Sequence, residues 1–333
     1  MTATDKDRER NGSGAAAGRV LVIGSANVDI SVHTAALPGP GETVAGDSCV
    51  IGAGGKGANQ AAASALCGAP TDFVGRVGAD DFAALVLREL ARCGVDHERT
   101  LALPGHGTGL AAIYVEASGQ NCIVVVPGAN AAFTPQDIDA LEPAIRSAAI
   151  LVLQCELPLP TVWRAVALAG DCGTPVIFNP APSHGLDLQA LPRGITYFVP
   201  NETEAAALTG MAVGDPAQAG RCAQKLRATG IDCVIITRGA AGCVLADGDG
   251  LRVYPAPAVA VVDTTGAGDA FIGCLAASLA RGLPRDAATQ RALAYASLAT
   301  TRRGAMSSYP GLEAFERQAP CLPDRAPGGG RPA

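Results

Sequence analysis

The stretch VDTTGAGDAF (262–271) places the small residues Gly266, Ala267 and Gly268 and a single carboxylate, Asp269, directly before the apolar run IGCLAASLA. Two readings compete. In the plain one, a loop closes a strand and Asp269 complements the dipole of the following helix, an effect of roughly 0.3–1 kcal/mol. In the other, the backbone N–H groups of Gly266, Ala267 and Gly268 crown a helix N-terminus, where anions are stabilised. Glycine at two of these three positions lets the backbone approach a phosphoryl group closely. Asp269 is then a base that accepts a proton from an attacking hydroxyl while the cradle stabilises charge on the transferred group.

Working outward from this turn, short β-branched runs alternate with Ala/Leu-rich stretches. RVLVIGS (19–25), AILVLQC (149–155), TPVIFNP (174–180), ITYFVPN (195–201) and DCVIITRG (232–239) read as buried strands. LPTVWRAVALAG, TEAAALTG and PAQAGRCAQKLRATG between them carry helical periodicity and a glycine stop. This rhythm predicts βαβ units, and hence an α/β fold: an αβα sandwich on a mostly parallel sheet, with ligands beyond the carboxyl ends of the strands. Two excursions, 29–51 and 107–127, interrupt the rhythm with β segments. They are either edge hairpins or a small β lid that closes over a site. The expected layout is one domain over 19–319, between a disordered leader (1–18) and a disordered tail (320–333).

Composition narrows the function classes. A 333-residue chain that is 48% hydrophobic can bury a sizeable core, and with only 4% aromatics that core is expected to rest on small, closely packed side chains. A net charge of -6, without a basic run, gives no footprint for nucleic acid or a membrane surface. Any phosphate-bearing ligand must therefore be held by local donors and a metal. Eleven cysteines lie scattered from Cys49 to Cys321 with no C-x-x-C pair and no histidine at zinc-site spacing. Their odd number and the lack of an apolar leader point to reduced thiols in a cytoplasmic protein.

A second glycine-rich run, GAGGKGANQA from Gly52, contains G-x-G-x-x-G as Gly52, Gly54 and Gly57. A dinucleotide (NAD) reading would pair it with an acid about 20 residues on, and Asp80 lies near that place. A Walker A reading fails because Gly57 stands where Ser or Thr should follow Lys56. What remains is a turn opening a helix, with Lys56 and Asn59 as donors for a polyhydroxylated ligand. In VPNETEAAALTG, either Asn201 caps a helix with Glu202 and Glu204 in its first turn, or Asn201 and Glu204 present oxygen ligands to Mg2+ or its waters near phosphates. ITRGAAG (236–242) ends a strand in a turn suited to nucleotide contacts.

GGKGANQA (54–61), NPAP (179–182), PNETE (200–204) and VDTTGAGDAF occur in one order that resembles the ribokinases of the phosphofructokinase-B-type (PfkB) carbohydrate kinases, over roughly residues 20–312. The resemblance implies a ribokinase-like core with a β lid and transfer of the ATP γ-phosphoryl group to the 5-hydroxyl of D-ribose. It implies Asp269 as catalytic base and Gly266, Ala267 and Gly268 as anion hole. It implies sugar contacts from Asn27, Asp29, Gly54, Gly55, Lys56, Gly57, Asn59 and Glu156. Nucleotide contacts would come from Asn201, Thr237, Arg238, Gly239, Ala240, Ala241, Gly242 and Gly268, and Mg2+ would lie near Glu204. K+ would be held by Asp263, Thr265, Ala299, Arg302, Gly304 and Ser308, mostly through backbone carbonyls. The chain departs from the family pattern at Ile272 and Leu293, near the expected nucleotide. The resemblance further implies a homodimer formed through the lid. Asn27 and Asp29 favour a pentose with its 2-hydroxyl in place, so 2-deoxyribose is expected to be poorer. Competing functions are kinases of 2-deoxyribose, fructose or adenosine, an NAD-dependent dehydrogenase, and a non-catalytic sugar-binding regulator. Cys155, beside Glu156, is either an oxidation-sensitive thiol in the site or a buried inert one.

Overall fold

The computed structural model describes residues 18–118 and 120–319. The expected leader, apart from Gly18, and the tail lie outside the described residues, as do Cys321 and Gly119 of the Ser118-Gly119 turn. An eight-stranded sheet forms the centre, in the order Gly250–Tyr254, Cys243–Asp247, Cys233–Thr237, Tyr197–Phe198, Val176–Phe178, Ile150–Leu153, Val20–Ile23 and Thr71–Val74. The strands from Cys233–Thr237 to Thr71–Val74 are all parallel, and the last two at the opposite edge are antiparallel. Strand side chains alternate between faces. Val20, Val22, Ile150 and Val152 accordingly enter one core, and Leu21, Ile23, Leu151 and Leu153 the other. Both faces being covered, these strands are continuous apolar runs rather than alternating ones.

Helices Lys56–Leu66 and Ala267–Ala280 cover the first face, and Leu159–Cys172 and Pro216–Arg227 the second. The glycine stops behave as expected: Gly173 (φ 73°) and Gly210 (φ 68°) end two helices in the left-handed conformation. Strands Thr71–Val74, Cys243–Asp247 and Gly250–Tyr254 complete the sheet beyond the runs picked out from sequence. The first two are fully buried, whereas Gly250–Tyr254 is a largely exposed edge strand.

The two excursions form one separate four-stranded sheet, ordered Gly46–Gly54, Asn27–Thr34, Gly109–Glu116, Asn121–Val126. Asn27–Thr34 pairs in parallel with Gly109–Glu116, which joins segments about 80 residues apart in sequence. They are thus not edge hairpins of the central sheet. This small sheet is rooted where the site lies: it starts just after Val20–Ile23 ends and runs from Gly54 directly into the Lys56 helix.

The close packing of small side chains has a direct consequence at one crossing. A Cβ on Gly273 would lie 2.5 Å from both Ala63 Cβ and the Gln60 carbonyl oxygen, so the Ala267–Ala280 and Lys56–Leu66 helices touch backbone to backbone there. This contact brings Asn59 and Gln60 up to Asp269. Gly273→Ala should therefore cost about 1–3 kcal/mol of stability by overpacking and separate these groups, read as an earlier urea midpoint together with reduced turnover.

Candidate active site

The turn ahead of the Ala267–Ala280 helix is fixed by Gly266, whose φ of 73° is left-handed. A side chain there would also meet Ala305 Cβ and the Tyr309 hydroxyl, both 2.7 Å from the Cβ position. The Tyr309 hydroxyl donates to the Gly266 carbonyl at 2.9 Å and holds the turn from the other side. Asp269 follows in the first helical turn and is buried, 7% exposed. Asn59 Nδ2 donates to its Oδ2 at 3.1 Å and Gln60 Nε2 to its Oδ1 at 2.9 Å. Burial raises the Asp269 pKa above the usual carboxylate range, while Lys56 and these two amides work against that shift. The result is a base stronger than an exposed aspartate, with donors that keep it in place.

One cavity joins this carboxylate to Lys56, Asn201, Glu204 and Thr237, while Asn27, Asp29, Asn59 and Glu156 do not line it. It is lined by Lys56, Asn179, Ala181, Val199, Asn201, Glu204, Thr237, Thr264, Gly266, Ala267, Gly268, Asp269 and Ile272. The Lys56 ammonium is held above its usual range by Asp269 first, and then by Glu156 and Glu204, against the opposing effect of burial. Around it stand acceptors suited to a ligand rich in hydroxyl groups. Asp29 is pushed up to about 6 by burial, with Glu156 and Asp269 adding repulsion. Glu156 Oε2 accepts from Ser25 Oγ at 2.5 Å and from the Lys56 backbone N–H at 3.0 Å, so it is clamped at the mouth of the Lys56 helix.

The remaining sugar-side positions gather at the root of the lid. Gly54 packs directly against the Asp29 carboxylate, Gly55 (φ 89°) turns the chain into the helix, and Gly57 lies on Gly24. Asn27 Oδ1 accepts from Asn130 Nδ2 at 2.8 Å, which leaves its amide nitrogen to face elsewhere. The Asn59 Oδ1 atom is buried with no hydrogen-bond partner among the described residues. An orphaned buried acceptor costs about 1–3 kcal/mol, so a ligand donor at this point would relieve a real penalty.

Among the positions expected to face phosphate, Asn201 caps its helix: Asn201 Oδ1 accepts from the Glu204 N–H at 2.8 Å and Glu204 Oε2 from the Asn201 N–H at 2.9 Å. The cap is therefore realised, and both residues still line the cavity, with Glu204 Oε1 outside the capping box. Burial raises the Glu204 pKa. Thr237 also lines the cavity, and Gly239, Ala240 and Ala241 form an exposed turn closed by Gly242. The Arg238 guanidinium, by contrast, turns away from the cavity to Glu202 (3.2 Å) and the Gly214 carbonyl (3.4 Å). In the ligand-free structure its side chain is thus engaged by the fold. Ile272 lines the cavity, whereas Leu293 is buried in the core.

Most of the expected monovalent-cation positions converge on two loops. Asp263 Oδ1 accepts from Thr265 N and Oγ1, and Asp263 Oδ2 from Gly304 N at 2.8 Å. Burial opposes its charge, but these hydrogen bonds outweigh burial and lower its pKa. The turn Ala299–Arg302 lies alongside, through the Thr300 carbonyl, which accepts from the Val262 and Asp263 N–H groups. Ser308 is buried nearby in chain on a helical turn with Ala305. Among the described residues no group of three or more His, Cys, Asp or Glu could hold a metal ion. Cations here would rest on backbone carbonyls and single carboxylates.

The geometry rules out a dinucleotide fingerprint at Gly52. Gly52 and Gly54 lie in a lid strand, not in a turn after the first strand of the sheet, and Asp80 is consumed by capping the Asp81–Arg92 helix and by Thr108. Burial pushes the Cys155 thiol up to about 12, which disfavours the reactive thiolate and supports the reading of a buried thiol over an oxidation-sensitive one. The ten described cysteines are all free thiols. Among the described residues no helix is long and apolar enough to cross a membrane. Ser25, Gln60, Asn130, Gln154, Asn179 and Tyr309 carry no signal in the sequence that marks them for the site, although Ser25, Gln60, Gln154 and Asn179 stand inside the quoted segments.

A parallel sheet with an anion-type helix turn at its carboxyl edge and a separate β lid is the ribokinase-like α/β fold. A pfkB family carbohydrate kinase profile matches residues 17–312, and the chain belongs to that family. A deoxyribokinase of Salmonella typhimurium is 37% identical over 297 residues, covering 89% of this chain and 97% of its own. A ribokinase of Mus musculus is 38% identical over 299 residues, covering 88% and 92%. The structure of Arabidopsis thaliana ribokinase complexed with ribose and ATP matches with a TM-score of 0.82 at 33% identity, covering 91% and 99%.

The Asp29 shift makes a stability statement. Its folded-state pKa of about 6 lies above the usual 3.8, so ionised Asp29 destabilises the ligand-free fold at neutral pH, and the penalty fades as pH falls from 6 toward 3.8. Asp29→Asn should raise stability at pH 7.5 by about 1–2 kcal/mol, discounted for partial exposure. The gain should shrink at pH 5, as thermal denaturation at both pH values would show.

Proposed function

We propose that the protein is an ATP-dependent sugar kinase that transfers the γ-phosphoryl group to the 5-hydroxyl of D-ribose, giving ribose 5-phosphate. The observation that carries this reading is a buried carboxylate, Asp269, in the first turn of a helix whose leading residues 266–268 line the same cavity as Lys56, Asn201, Glu204 and Thr237. A sugar hydroxyl is a poor nucleophile, and a positioned carboxylate typically contributes about 10²- to 10⁴-fold. Asp269 would take the hydroxyl proton, and its raised pKa favours accepting it. The amides of Gly266, Ala267 and Gly268 would stabilise charge on the transferred group. Lys56 would draw the phosphates toward this end of the cavity while balancing the surrounding acids.

Asp29, Glu156, the Asn27 amide and the orphaned Asn59 oxygen offer alternating acceptors and a donor for sugar hydroxyls. Burying them under the lid is costly unless those hydroxyls satisfy them, so sugar binding would favour closure. When bound, Mg2+ near Glu204 would neutralise phosphate charge. K+ between the Asp263–Thr265 and Ala299–Gly304 loops would support the anion-hole turn. The half-exposed valines of the lid, Val124 at 56% and Val126 at 52%, fit a homodimer formed through that sheet. Free thiols fit a cytoplasmic setting.

The mouse and Arabidopsis ribokinases support ribose, and the latter was solved with ribose and ATP. The Salmonella relative named deoxyribokinase supports a second reading, 2-deoxyribose. Ribose is favoured because Asn27 and Asp29 present a donor and an acceptor side by side on one strand, which suits vicinal hydroxyls. A coupled assay with ATP on ribose, 2-deoxyribose, fructose and adenosine, with and without K+, should rank ribose first and show stimulation by K+. Equal rates on all four would contradict the assignment. Asp269→Ala should lower kcat by at least about 10²-fold while calorimetry still detects sugar binding.

A further inference from the structure

Beneath the carboxylate runs a chain of buried amides that the reaction as described does not use. Gln60 Nε2 donates to Asp269 Oδ1 at 2.9 Å and to Asn179 Oδ1 at 3.3 Å. Gln154 Nε2 donates to Gln60 Oε1 at 2.7 Å, and Asn179 Nδ2 to the Val199 carbonyl at 2.9 Å. Gln60 and Gln154 are essentially inaccessible to solvent, and Asn179 is 6% exposed.

The two ends of this chain fix the polarity of everything between them. The Val199 carbonyl can only accept, so Asn179 must turn its nitrogen there and its oxygen toward Gln60. The Asp269 carboxylate, when ionised, can also only accept. Gln60 must therefore present its nitrogen to both, which turns its oxygen to Gln154, and Gln154 must donate. A single flipped amide would set oxygen against oxygen in a buried site. Gln154 keeps this orientation although its own Oε1 has no hydrogen-bond partner among the described residues. That Oε1 lies against Gly24, where a Cβ would come within 2.1 Å of it. Packing alone gives no reason for a glutamine here.

We infer that Gln60 is a positioning residue for the base, with Gln154 and Asn179 locking its amide so that Asp269 is held ionised and aimed into the cavity before substrate arrives. This rests on the kinase reading for its consequence, though the lock itself does not. It differs from the Asn59 contact, whose other amide atom, Oδ1, is buried with no hydrogen-bond partner among the described residues. Charged and titratable groups that act on Asp269 from the neighbouring elements are Lys56 and Glu156, with Asp29 from the lid, Glu204 from its helix and Tyr309 from the loop beneath Gly266. All of them are unchanged when Gln60 or Gln154 is replaced, so a shift in the variants isolates the lock.

The sign follows from the donor. Loss of a hydrogen bond to the ionised form raises the Asp269 pKa, so the acid limb of the rate profile should move to higher pH. The test uses Gln60→Met, and Gln154→Met as the variant that touches neither Asp269 nor the cavity. Carboxyl ¹³C NMR would follow Asp269 in the ligand-free protein, its resonance assigned by subtraction of an Asp269→Asn spectrum. Both variants should titrate at higher pH than the parent, Gln60→Met by more. The Gln60→Met protein should lose at least about tenfold in kcat with KM for ribose changed less than about threefold. Midpoints equal to the parent's within roughly 0.2 unit would overturn the inference, as would rate losses that track KM and melting temperature together. Should the parent protein phosphorylate none of the sugars, the kinase reading falls, and the NMR titration still decides whether the lock exists.

Discussion

A carboxylate buried at the start of a helix is the constraint around which this molecule is built. Moving an ionised aspartate out of water is costly unless donors and an opposite charge replace its hydration. Asp269 obtains them from three directions: the ammonium of Lys56, the amides of Asn59 and Gln60, and the helix terminus that it occupies. Two of these sources lie on one helix, Lys56–Leu66, and they reach Asp269 only because Gly273 lets that helix meet Ala267–Ala280 without intervening side chains. Small-residue packing, which composition alone suggested, is thus a requirement of the site as well as a property of the core.

The same constraint links the lid to the site. The Lys56 helix is a direct continuation of lid strand Gly46–Gly54, and Asp29 sits on the adjacent lid strand, facing Gly54. Burial, with added repulsion from Glu156 and Asp269, pushes Asp29 up to about 6. The ligand-free site therefore holds unfavourable charge that a partner rich in hydroxyl groups can relieve. On the proposed function, binding, lid position and the readiness of the base would be coupled through these few carboxylates.

Much of this was legible in the sequence. The alternation of buried strands and helices pointed to the αβα sandwich, because doubly covered parallel strands leave uninterrupted apolar runs such as VLVI and ILVL. The helix start within 262–271 was legible because small residues and a lone acid before an apolar run mark a helix N-terminus, and the Asn201 cap because an Asn followed three residues later by Glu is a local signal. Less legible was whatever depends on contacts distant in sequence. The pairing of Asn27–Thr34 with Gly109–Glu116 has no local signature, and neither does the turning of Arg238 toward Glu202. Gln60 and Asn179 stood inside recognised motifs, but their function is to contact each other across 119 positions, which no spacing reveals.

The account comes down to where one oxygen pair points when substrates are bound. A crystal structure with ribose and a non-hydrolysable ATP analogue tests it directly. It should show an Asp269 oxygen within about 2.6–3.2 Å of the sugar 5-hydroxyl, with the amides of residues 266–268 directed at the terminal phosphate. A sugar bound away from Asp269, with that carboxylate still engaged only by Asn59 and Gln60, would contradict it.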